Sequence, residues 1–420
     1  MTEFQRALVI DPTTGRSREI RDEETMQVNI NKDQLDAGKR IRISALTPVF
    51  DGKTLKDKNP LIFDETGTGT STYDSNNSAV ILSVTSGQYI VRQSKMFCPY
   101  FPGKSQIVET TLIGFDNQAN VVKRHGYFSS STTAPYTANF DGIYLEADGT
   151  THNLKVDKNG TNTITVARTS WGDPLDGTGA SGQTIDFDNF NIFLIDFLWL
   201  GGFRVRFGVA LNDSVIWFHT YKHSNTVNGI MMLSPNQCIR TEIRSTTGSG
   251  SITTVCADVS TEGSNNDIVD TGIQRSINTG VNPITVATAG TFYALLGIRL
   301  KPTHKDISVL IEKLSILATS KDDFLYELRL NPTVAGTFTY SDVTDSSIQR
   351  AIGTGTNTVT GGTVLSSGLQ QQQTSANISA KNSLRLGSTI AGVMDTFVLC
   401  VSPLSNTMTI HAAMDIRELF

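Results

Sequence analysis

The sequence predicts an all-β protein built from antiparallel β-sandwiches, and three observations lead there. The 420 residues are 38% hydrophobic but only 18% charged, below the quarter or so usual in soluble proteins. Thr, Ser, Gly and Asn make up the difference, and these residues favour strands, turns and loops over helices. Apolar runs of five to ten residues recur between turn signals. Neighbouring runs are also joined by hairpin-sized connections, Gly201-Gly202 and Asn212-Asp213, which antiparallel strands need and parallel ones cannot use. With 20 Phe, 10 Tyr and 3 Trp, the chain has the apolar payload of a folded protein rather than a disordered one.

Three segments follow in order. Residues 1–75 are the most polar and are read as an N-terminal assembly arm, with a short helix predicted over Asn31–Arg40. Within them, residues 51–74 form a linker rich in Lys, Asp, Gly and Thr. The competing reading makes that linker a polar extension of the first β domain. Residues 76–262 hold runs such as Ala79–Val84, Gln106–Phe115, Ile192–Trp199, Arg204–Leu211 and Ser214–Tyr221, and are read as a first sandwich. Alternation in the last hairpin sets Phe207, Val209 and Leu211 on one face, with Val215, Trp217 and His219 against or opposite it. Residues 263–420 form a second β domain, entered through a polar hinge at Thr261–Pro283. A long Gly/Thr/Ser segment, Gly353–Ser379, interrupts it and is expected to be ordered mainly by a neighbouring chain. No repeat of fixed period supports a propeller or solenoid.

Composition narrows the function. A net charge of −5 and a pI near 5.7 supply no basic field for nucleic acid, and no apolar run reaches the length of a membrane span. The N-terminus lacks an apolar signal region. Cys98, Cys238, Cys256 and Cys400 are far apart and read as free, buried thiols of a protein made in a reducing cytoplasm.

Candidate chemistry is sparse. Asp173, Asp176, Asp186 and Asp188 surround the loop Asp176–Gly182, and oxygen ligands on a flexible loop are what Ca²⁺ takes. Asp and Gly are equally the ordinary residues of a long turn. His219 and His223 are four apart, but on a strand followed by a loop that spacing does not place both on one face. No Ser, Cys or Lys stands in a recognisable nucleophile pattern, so the chain reads as a non-enzyme without a resident cofactor. Trp171, Trp199 and Trp217, with Phe190 to Phe207, form the densest aromatic stretch. They read as sandwich core, and alternatively as a stacking platform for sugars, with Trp171 the candidate glycan contact because it sits in a turn.

Several motifs resemble a family of tailed-bacteriophage virion proteins. They are Ser94-Lys-Met-Phe-Cys-Pro-Tyr-Phe-Pro-Gly-Lys-Ser105, Gly126-Tyr127-Phe128, Trp171 through the Asp176 loop, and above all Ile195-Asp-Phe-Leu-Trp-Leu-Gly-Gly-Phe-Arg-Val-Arg-Phe-Gly208. Gly297-Ile-Arg-Leu300 and Leu328-Arg-Leu-Asn-Pro332 extend the resemblance over roughly residues 90–420. The family pattern carries a further glycine where this chain has Phe203, which bears on the hairpin turn. The resemblance implies jelly-roll- or concanavalin-like domains in a tail, collar, fibre or capsid-surface component. The expected function is assembly in the virion as a homo-oligomer, with a trimer the expected state, alongside other virion proteins. The alternative is a host-glycan-binding module or depolymerase.

Overall fold

The computed structural model describes residues 8–10, 17–19, 35–39, 45–263, 272–320, 322–371, 375–379, 385–405 and 407–420. The protein is all-β, with antiparallel sheets throughout the described residues. Two sheets form the first sandwich. One runs, from edge to edge, Thr161–Ala167, His152–Lys158, Asp141–Ala147, Val121–Ser129, Ile239–Ser245, Tyr89–Ser94, Phe63–Gly67. The other runs Ser214–Lys222, Arg204–Leu211, Asn191–Leu198, Gln106–Ile113, Gly250–Glu262, Ala79–Val84, Thr70–Asp74, with Leu46–Lys53 also paired to Gly250–Glu262. Alternate residues of each strand meet in one core, in which Phe193, Ile195, Phe197, Val205 and Phe207 face Tyr127, Ile143, Leu145 and Ile243. The Tyr127 and Phe197 rings lie 5.4 Å apart across it.

The outer face of the Val121–Ser129 sheet is charged yet buried. Glu242 accepts from Arg124, Arg240 and Arg244, and the loop after Ser129 closes over the network as the Tyr136 carbonyl accepts from Arg240. Burial alone would raise the Glu242 carboxyl, but the three guanidiniums overrule it and hold it near 2.

The second sandwich packs Ile273–Asn278, Met408–Leu419, Ser308–Ala318 and Ser375–Ser379 against a sheet running Ser341–Asp342, Ile348–Ile352, Tyr293–Leu300, Thr396–Pro403, Phe324–Leu330, Thr363–Gln370. It docks on the first through Ser308 to the Phe97 carbonyl (2.9 Å) and the Ile390 amide to Asp64 (2.7 Å). Leu419, from its C-terminal strand, is buried in the first sandwich's core.

Four expectations are corrected. Residues 46–74 are not an arm: they contribute three strands, and Phe50 and Phe63 pack edge-on in the first core. Short apolar islands in a polar stretch suffice when a sheet edge is available to pair with. Residues 35–39 form a bridge and turn rather than a helix, and the rest of Asn31–Arg40 lies outside the described residues. Gly353–Ser379 is no irregular loop, because Thr363–Gln370 pairs with Phe324–Leu330 and Ser375–Ser379 with Ser308–Ala318. A bulge between Phe207 and Gly208 shifts the register of the next strand. Phe218 is therefore the buried residue there, while Trp217 lies half-buried outside, with the Arg206 guanidinium 4.2 Å from its ring.

Candidate functional site

The residues singled out from sequence do not converge. The segment carrying Trp171 to Asp188 folds as a plug on the first sandwich, driving Trp171, Leu175, Ile185 and Phe187 into the core. Trp171 is 5% exposed, and its indole N–H donates to the Val166 carbonyl. A sugar cannot stack on it, which corrects its reading as an exposed glycan contact. A turn residue is exposed only when its loop stands away from the body, and this loop folds back.

Three of the four aspartates hold local turns through their carboxylates, and Asp188 takes part through its backbone amide. Asp173 accepts the Leu175 and Ser181 amides at 3.0 and 2.7 Å, Asp176 accepts the Thr178 amide at 2.9 Å, and Asp186 accepts the Asp188 amide at 3.0 Å. A Cβ on Gly179 would lie 2.0 Å from the Asp173 carboxylate, so this crossing requires glycine. Among the described residues no three His, Cys, Asp or Glu side chains gather to hold a metal ion.

His219 and His223 also part company. His219 accepts the Gly172 amide, whereas His223 bridges the Tyr221 hydroxyl and the Gly229 carbonyl, both at 2.7 Å. Cys98, Cys238 and Cys400 are buried, and burial pushes the Cys238 and Cys400 thiols up to about 12. Cys256, expected inside, is exposed.

What the fold does assemble is a cleft of about 530 Å³ where the two sandwiches meet. One wall is the loop after Val121–Ser129, a second the turn at Asn159, and a third the segment around Ser234. The short 3₁₀ turn Pro302–His304 of the second sandwich completes it. Asp141 organises the floor. Its carboxylate accepts the backbone amides of Leu233 (2.7 Å), Ser234 (3.0 Å) and Asn159 (3.0 Å) and the Gln237 side-chain amide (2.6 Å). Burial raises its pKa, partly offset by those four donors. Asn159 turns the corner at φ 45°, a left-handed conformation that Asn adopts more readily than most residues. The far wall is fixed by Asp306, whose carboxylate accepts the Ser234 hydroxyl and whose carbonyl accepts the Asn236 amide.

Sequence reasoning missed this cleft. Its one local signal is Ser129-Ser-Ser-Thr-Thr133, five consecutive hydroxyl residues before Asn139 and Asp141. The partners lie about 20, 100 and 170 positions further on, and only the fold brings them near.

No protein-family model matches the chain, and no curated protein matches it. Among solved structures, the chain is similar to the carbohydrate esterase vb_24B_21 of Shiga toxin-encoding bacteriophage phi24B. That match has 10% identity and a TM-score of 0.33, covering 52% of this chain and 100% of the other. A β-glucanase of Bacillus licheniformis gives 13% identity and a TM-score of 0.32, covering 51% and 98%. The VIP36 exoplasmic/lumenal domain gives 11% identity and a TM-score of 0.34, covering 53% and 94%. Similarity at these levels bears on neither ligand nor activity.

Proposed function

We propose that the chain is a non-catalytic structural component of a bacteriophage virion, a homo-oligomer joined to its neighbours through sheet edges. The motifs around Ile195–Gly208 support the particle, and one strand supports the mode of contact. Thr363–Gln370 is the edge of its sheet, contains no charged residue and no proline, and leaves Val364 46% and Leu369 68% exposed. No strand covers its outer side among the described residues. A long uncharged edge is a template for a strand from another chain, and proteins that stay monomeric ordinarily blunt such edges. The contrast within this molecule is direct. Thr161–Ala167 is also an uncharged edge, but the Trp171 indole caps its Val166 carbonyl and Asn162 caps its Ile164 carbonyl.

Light scattering on the purified chain, with mass spectrometry of purified particles, tests this. An oligomer, with three chains the expected number, and presence in particles are the predicted results. Leu369→Lys with Val364→Lys should dissociate the oligomer at unchanged melting temperature. A compact monomer absent from particles would overturn the proposal. A second reading, a host-glycan-binding or depolymerase module, is favoured by the cleft between the sandwiches.

A further inference from the structure

The cleft is built of neutral polar groups. Ser131, Thr132, Thr133 and Thr303 bring hydroxyls to it, and Asn139 and Asn159 bring amides. Its charges are few and mostly spent inside the protein. Asp141 is engaged by four donors, and Asp306 accepts the Ser234 hydroxyl. Among the described residues Lys305 is the single cation of the lining, so the wall they form lacks the paired positive groups that hold phosphate or sulfate.

One buried group in the lining is unfinished. Gln237 donates through its amide nitrogen to Asp141 (2.6 Å) and to the Ser234 carbonyl (3.0 Å), both of them acceptors. The orientation of the side-chain amide is thereby set, and its oxygen is left buried with no partner. An orphaned buried acceptor is unfavourable, and a donor brought to it through a water from the cleft would relieve it. Phe97, Leu233 and Pro302 line the same space with carbon. Hydroxyls, amides and carbon in one lining and a volume suited to a small ligand match a molecule with hydroxyl edges and C–H faces.

We infer that this cleft binds a neutral saccharide, with Gln237 accepting through a bridging water and Thr133 and Thr303 forming exposed parts of its lining. The inference rests on the glycan-binding reading and gives it a location, one that does not involve Trp171.

The test applies the full chain to an array of neutral and anionic oligosaccharides, then titrates the best neutral hit by calorimetry. Thr133 and Thr303 are both exposed on the surface, so Thr133→Trp and Thr303→Trp fill the cleft without touching either core. Each should weaken binding at least tenfold with an unchanged melting temperature. Neutral binding that neither substitution disturbs overturns the cleft while leaving the glycan-binding reading standing. Binding of anionic glycans alone overturns the neutral assignment. An array without any hit overturns both, and leaves the particle assignment to be decided by mass spectrometry.

Discussion

Two buried histidines make stability depend on pH. His125 sits inside the first sandwich, with Nδ1 on the Thr241 hydroxyl and Nε2 unpartnered, and burial lowers its pKa to about 3. His152 is stacked on Phe187 at 3.7 Å between centroids, and burial lowers its pKa to about 4. In the unfolded chain both take up protons below about 6.5. The unfolded state therefore binds more protons than the folded one, and stability falls as pH drops from about 6.5. Glu242, held near 2, adds a second loss as pH falls below its ordinary 4.5. Asp141, Asp258 and Asp395 are raised by burial and act in the opposite sense, but their ordinary value is 3.8, which leaves the upper part of the window mainly to the histidines. The urea midpoint should fall between pH 7.5 and 5.5, with a shallower slope in His125→Asn. A midpoint that stays flat over that range would contradict this account.

At the scale of elements, hairpins were the most legible part of the sequence. Asn212 and Asp213 take φ of 47° and 66°, as a tight two-residue turn requires. The turn after Trp199 places its positive φ at Leu200, Gly201 and Gly202, so Phe203 has no need to be glycine. Trp199 itself is half-buried rather than core. Its indole donates to the Met232 carbonyl at 3.3 Å and its ring meets Tyr100 edge-on at 6.1 Å. Trp199→Ala should therefore cost about 2 kcal/mol, below the 3–5 of a fully buried aromatic, and denaturant melts would show it. A loss above 4 would mean that the ring is enclosed in solution. The edge strands teach the converse lesson. Thr161–Ala167 and Thr363–Gln370 are equally uncharged in sequence, yet the fold caps two carbonyls of the first, Val166 from a neighbouring turn and Ile164 from the strand's own Asn162.

At the scale of the molecule, the two sandwiches are tied together by buried and directional contacts. Leu419 inserts into the first core from the last strand of the second, while Ser308 donates to the Phe97 carbonyl and the Ile390 amide to Asp64. The N-terminal boundary matters for the same reason. Residues 46–53 pair with Gly250–Glu262, and Phe50 is 3% exposed. A deletion of residues 1–50, which an assembly arm would tolerate, should instead remove Val49 and Phe50 from the core. The cost is on the order of 5 kcal/mol, visible as a lower melting temperature of the first sandwich. Unchanged melting of that truncated chain would restore the arm.

Local physics determined what the sequence carried by itself. Period-two alternation, a poverty of helix formers and Gly or Asn-Asp turns are properties of adjacent residues, so the all-β class and the strand pairs joined by short turns were readable directly. Burial and proximity are not local. Whether Trp171 faces solvent depends on a loop folding back onto the core. Whether residues 46–74 belong to a domain depends on an unpaired edge at Gly250–Glu262 and at Ala79–Val84. The cleft exists because Asp141 captures amides from a turn 18 residues away and from a loop more than 90 residues away, while the second sandwich supplies the opposite wall. Only closure of the chain over those separations decides such features, because hydrogen bonding and apolar burial act between whatever surfaces the fold brings into contact.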